Sequence, residues 1–215
     1  MLLYMLLLSL IAFVSYAIGS IGTLRVAGQY VFHRNLSRLG RGNLFISNFR
    51  RLYGVRGVIK LTLVEIVKDL LPILFGSLLL GLKGQAEVGR AFAGFCMLMG
   101  RLWTVFNRFN GCHGCVALAV AGALIEPSVG AAAAIVCAAA IWFSRYISLG
   151  AVLGAVILII TSVLVVENQL PMLLLIGCAV LVLVRHLPAL RRISRGQEER
   201  LSFKEDLTYK LDSKF

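Results

Sequence analysis

The sequence predicts an all-α integral membrane protein with about seven transmembrane helices, and three observations predict it. Apolar residues make up 59% of the 215 and charged residues 15%, with a mean hydropathy of +0.88, which is more apolar surface than a soluble domain of this length buries. These residues gather into long runs. A helix of roughly 20 apolar residues crosses a hydrocarbon core, and segments approaching that length occur at residues 2–23, 55–82, 87–106, 114–126, 129–145, 148–166 and 169–187. The third observation is an asymmetric placement of the basic residues between them.

The first run, "LLYMLLLSLIAFVSYAIGSIGTL", has the length of a signal peptide but no basic residue before it and further apolar runs after it. It is expected to remain as a membrane helix. The second carries Lys60, Glu65, Lys68 and Asp69, and charges inside a bilayer require a partner or a cavity. Glu65 and Lys68, three positions apart, meet on one helix face and are expected to pair. The fourth run is short, and Pro127 separates it from the Ala-rich fifth; as a re-entrant hairpin these two reduce the count to six. Gly150 and Gly154 in the sixth allow close helix approach. After the seventh, "RRISRGQEERLSFKEDLTYKLDSKF" turns to mixed charge, so residues 1–193 are expected to form the membrane domain and 194–215 a polar cytoplasmic tail.

Orientation follows from Lys and Arg, which are retained on the cytoplasmic side. Seven arginines lie from Arg25 to Arg56, Arg101 and Arg108 follow the third run, Arg145 follows the fifth, and eight basic residues run from Arg185 to Lys214. That places 18 of 22 basic residues on one side. The N-terminus is expected outside and the C-terminus inside. The net charge of +12 then reads as a rim facing anionic lipid. Without an interleaved aromatic platform, it does not point to nucleic acid.

One loop carries candidate chemistry, "FNRFNGCHGCVAL" at residues 106–118. Cys112 and Cys115 flank His113 and Gly114, but a structural zinc site would still lack a fourth ligand and a second paired motif. A redox dithiol would need a βαβ context, absent from an all-helical pattern. No metal is expected. Gly111 and Gly114 instead bracket a turn into the fourth helix, where unpaired N–H groups carry partial positive charge suited to a phosphate. The alternative is a turn that only connects two helices.

The order of these pieces resembles the bacterial PlsY family of membrane acyl-phosphate:glycerol-3-phosphate acyltransferases over nearly the whole chain. Gly19-Ser20-Ile21 is similar to the family's G-S-I-P, with Gly22 in place of the proline, and "LGRGNLFISNFRRLYG" keeps the spacing of a second motif from Gly42-Asn43 through Ser47-Asn48 to Arg51 and Gly54. The loop matches a third motif at Gly100, Val105, Phe106, Phe109, Gly111, Gly114, Val116 and Ala117, while "SRYISL" and "RHLPALRR" resemble the remaining two. Departures fall on polar positions: Arg41 stands for a serine, Arg101 for a histidine, Asn110 and His113 for two lysines, Cys112 for a glycine and Ala189 for an asparagine.

The resemblance implies acyl transfer from acyl phosphate to the primary (sn-1) hydroxyl of glycerol 3-phosphate, giving lysophosphatidic acid and phosphate, without metal, cofactor or covalent intermediate. It implies a bacterial inner-membrane protein, in contact with lipid, whose site faces the cytoplasm. By this match His113, Arg101 and His186 are catalytic candidates. Arg41, Asn43, Asn48, Arg51, Asn110, Gly111, Gly114 and Ser148 are substrate-binding candidates. Arg41, Arg101 and Arg108 bring three guanidiniums to that face in place of the lysines, and a guanidinium grips phosphate through a planar fork. A catalytically impaired PlsY-like protein that binds a phosphorylated lipid or metabolite is the alternative. A small transporter is a third reading, but no inverted repeat is visible. Oligomeric state is not legible.

Overall fold

The computed structural model describes residues 1–23, 45–107, 109, 111, 114–198 and 200, with the backbone alone described at 45–53, 55 and 107. Within them lie seven α-helices: α1 Leu2–Ser20, α2 Phe45–Gly81, α3 Ala86–Leu102, α4 Cys115–Ile125, α5 Pro127–Ser144, α6 Ile147–Val165 and α7 Gln169–Ser194. Four of them, α1, α5, α6 and α7, are long and apolar enough to cross a membrane. Their exposed residues suit lipid contact, with Leu2, Phe13, Trp142, Phe143, Leu164 and Leu173 all open at the surface.

Helices α1 and α3 run parallel. Tyr4 Oη donates to Gln85 Oε1 at 2.8 Å at one end of the bundle, and Ser20 Oγ donates to the Gly100 carbonyl at 3.2 Å at the other. α2 runs against α3, with the backbones of Gly76 and Gly89 so close that a Cβ on either would meet the other's carbonyl. Small residues permit such contact where no hydrophobic force drives one apolar helix onto another. α2 is longer than the apolar run because it begins at Phe45, and it is interrupted at Gly54, whose φ of 66° leaves the helical region.

α4 has 11 residues, about 16 Å at 1.5 Å per residue, roughly half of a hydrocarbon core. Glu126 ends it, and Pro127 opens α5 at the first helical position, where its missing N–H costs no hydrogen bond. The two helices form a hairpin closed by Gly122 against Gly130. α7 continues past the apolar run to Ser194 with Pro188 inside it. The main core joins α3, α4, α6 and α7 through Met97, Leu98, Leu102, Leu118, Leu158, Leu175 and Val182. This core fixes the depth at which α4 begins.

Candidate active site

The turn ahead of α4 is assembled from backbone contacts. α3 stops at Leu102, and Trp103 closes it by donating its N–H to the Met99 carbonyl. A 3-10 turn, Val105–Asn107, follows. The Phe109 N–H then reaches back to the Thr104 carbonyl at 2.9 Å with Phe109 at a positive φ of 59°. Gly111 N–H donates to the Leu102 carbonyl at 3.2 Å. A Cβ at Gly111 would overlap the Arg101 carbonyl oxygen and lie 2.7 Å from that of Leu102, so glycine is required by the approach itself. Gly114 is required by its φ of +75° and by Leu98, 2.8 Å from where a Cβ would stand. It is the N-cap of α4 and supplies no side-chain cap. The first turn of α4 therefore carries the partial positive charge of a helix start without a side-chain cap from its N-cap residue.

α7 meets this turn from the other side. Arg185 Nη2 donates to the Gly111 carbonyl at 3.2 Å, across 74 residues. His186 beside it is fully buried, and its Nδ1 is 2.8 Å from the Val182 carbonyl. A carbonyl only accepts, so in the neutral ring Nδ1 carries the proton and Nε2 is the accepting nitrogen. Val182, which supplies that carbonyl, also packs against Gly114.

Beneath the turn lies a buried ionic cluster. Arg101 Nη1 contacts Asp69 Oδ2 at 2.5 Å and Nη2 lies 3.1 Å from Glu65 Oε1, with Arg101 5% exposed and Asp69 fully buried. Lys68 Nζ sits 3.9 Å from Asp69 and donates to the Ile21 carbonyl at 2.8 Å. Where the spacing suggests an intrahelical Glu65–Lys68 pair, Glu65 meets Arg101 and Lys68 meets Asp69, and the cluster ties α2 to α3 and to the end of α1. Two carboxylates in contact with one guanidinium cancel its field on a third anion. Neighbouring ties complete the corner: Thr104 Oγ1 donates to the Ser20 carbonyl at 2.6 Å, and Tyr16 Oη to the Trp103 carbonyl at 2.7 Å.

Of the candidates read from sequence, Gly111 and Gly114 stand with Arg101 and His186 at one end of the bundle. Arg101 joins them through its backbone, under Gly111, while its side chain turns to Asp69 and Glu65. Ser148 is buried in the first turn of α6, and no described hydrogen bond joins it to the Gly111 turn. Arg41, Asn43, Asn110 and His113 lie outside the described residues, as do the side chains of Asn48 and Arg51 in the first turns of α2. Arg145 ends α5 in the left-handed conformation. Sequence reasoning missed Arg185, counted there only as a rim cation, and the bond between Asp69 and Arg101. Ser20 was signalled by its place in Gly19-Ser20-Ile21.

The glycerol-3-phosphate acyltransferase family matches residues 9–196. The glycerol-3-phosphate acyltransferase 2 of Moorella thermoacetica is 32% identical over 192 residues, covering 87% of this chain and 94% of its own. A glycerol-3-phosphate acyltransferase of Thermoanaerobacter sp. is 23% identical over 198 residues, covering 92% and 98%. The fold is similar to that of PlsY (YgiH), an integral membrane glycerol 3-phosphate acyltransferase, in its glycerol 3-phosphate form, with a TM-score of 0.78 at 20% identity over 91% of this chain and 96% of that one. With the family matched over most of its length and the PlsY architecture reproduced, this chain belongs to the glycerol-3-phosphate acyltransferase family and is a membrane acyltransferase.

Proposed function

We propose that the protein transfers a fatty acyl group from acyl phosphate to the sn-1 hydroxyl of glycerol 3-phosphate, in a bacterial inner membrane, with the N-terminus outside and the site open to the cytoplasm. The hydroxyl oxygen bonds to the acyl carbon, the bond from that carbon to the phosphate oxygen breaks, and inorganic phosphate leaves. The hydroxyl proton passes to a phosphate oxygen. Lysophosphatidic acid is the other product.

One observation carries this reading: Gly111 lies against the end of α3 and takes a hydrogen bond from Arg185 of α7, and Gly114, packed by Leu98 of α3 and Val182 of α7, opens α4 without a side-chain cap. Such a reaction needs two phosphates held side by side and donors placed where negative charge develops. The start of α4 provides backbone donors, and His186, whose Nδ1 is engaged by the Val182 carbonyl, is the catalytic candidate on α7. Arg51, Arg41, Asn43, Asn48, Asn110, His113 and Ser148 complete the substrate-binding set, with Arg51 on the acceptor phosphate.

The test is acyl transfer by the purified protein in lipid, supplied with acyl phosphate and glycerol 3-phosphate, with phosphate and lysophosphatidic acid both quantified. The expected result is equal release of the two. Absence of both above a heat-killed control would leave a protein that only binds phosphorylated lipid or metabolite.

A further inference from the structure

Two described guanidiniums lie against the glycine turn, and their electrostatic situations differ. Arg101 sits between Asp69 and Glu65, so its positive charge is already answered. Arg185 has a single hydrogen bond, to the Gly111 carbonyl at 3.2 Å, and no carboxylate within ion-pair distance among the described residues. It is half-buried, with the apolar face of α7 behind it. A partly desolvated cation without a counterion is costly. It is held in place by the carbonyl of Gly111, three residues before Gly114, the N-cap of α4, which supplies no side-chain cap.

We infer that Arg185 is a substrate-binding residue: its guanidinium steadies Gly111 through one N–H and presents its remaining donors to a phosphate group resting on the start of α4. This rests on the acyltransferase reading and names the cation of its phosphate subsite. The family resemblance suggested Arg101 for such a role; the two carboxylates on Arg101 assign it to holding α3 against α2. Five N–H donors in one plane suit this double duty, because one edge of the fork can serve the carbonyl while another meets two phosphate oxygens. Both substrates carry a phosphate, so either one could be the occupant.

Full-length protein in lipid nanodiscs, carrying Arg185→Gln or Arg185→Lys, separates the possibilities, with KM measured for each substrate in turn and Arg195→Gln, an exposed change at the end of α7, as control. Arg185→Gln should raise KM for one phosphorylated substrate at least tenfold, and the substrate affected identifies the occupant. Arg185→Lys should recover part of the loss, since it restores charge without the fork. Raising ionic strength should weaken the wild type more than Arg185→Gln, a difference that a clamp acting only on Gly111 would not give. KM values within twofold of wild type for both substrates in both variants would overturn the assignment. Equilibrium binding of glycerol 3-phosphate and of inorganic phosphate, measured without turnover, keeps the two readings apart. A wild type that binds phosphate but makes no product removes the reaction and keeps Arg185 if Arg185→Gln abolishes that binding. Binding equal in wild type and both variants removes Arg185 alone.

Discussion

Replacing Arg101 by methionine removes the guanidinium that bridges Asp69 and Glu65 and leaves two carboxylates, one of them fully buried, without it. Breaking a buried ion pair from one side costs about 3–5 kcal/mol, because the remaining charge stays desolvated. In a chain of this size each kcal/mol moves the unfolding midpoint by about 2–4 °C, so the midpoint should fall by about 6–20 °C. Adding Asp69→Leu removes the most buried carboxylate and leaves Glu65 beside Lys68, again with no net charge. The double variant should recover most of the loss, a coupling of up to about 3 kcal/mol. Thermal unfolding in lipid nanodiscs, followed by tryptophan fluorescence, reads both quantities. A single variant melting with the wild type, or a double variant no more stable than the single, would refute the view that this cluster is a neutralised structural unit.

Three other substitutions bear on the site. Gly111→Ala drives a Cβ into the Arg101 carbonyl and should lower kcat/KM about a hundredfold by displacing the turn by about an ångström, with little change in unfolding midpoint. His186→Gln should lower kcat about a hundredfold or more in steady-state assays if Nε2 accepts from the substrate hydroxyl; a smaller effect would limit His186 to its bond with Val182. Arg51→Ala should reduce kcat/KM at least tenfold, about 1.4 kcal/mol of transition-state stabilisation, and an unchanged rate would remove Arg51 from the site.

The helices were legible because lipid imposes a length and a composition on whatever faces it, and Pro127 marks the break between α4 and α5. The end of α7 was less so: apolar content falls off near Arg185 while the helix persists to Ser194, since hydropathy reports the edge of the bilayer rather than the end of hydrogen bonding. Gly111 and Gly114 could be singled out because positive φ and close backbone approach favour the same residue. Partnering of charges was not legible. Asp69 and Arg101 are 32 residues apart and Arg185 and Gly111 are 74 apart, and nothing local in the sequence says which of several cations meets a carboxylate and which meets the turn. Arg101 illustrates the difference: its position was suggested by resemblance, but the direction of its side chain depends on two residues of another helix.

The central claim is that a phosphate group rests on the glycine turn at the start of α4, between the end of α3 and α7. An experimental structure with glycerol 3-phosphate bound tests it most directly. A phosphate is expected with oxygens about 3 Å from backbone nitrogens at the start of α4 and within reach of the Arg185 guanidinium. A phosphate bound instead against Arg101, or at the opposite end of the bundle near Gln85 and Asn168, would contradict it.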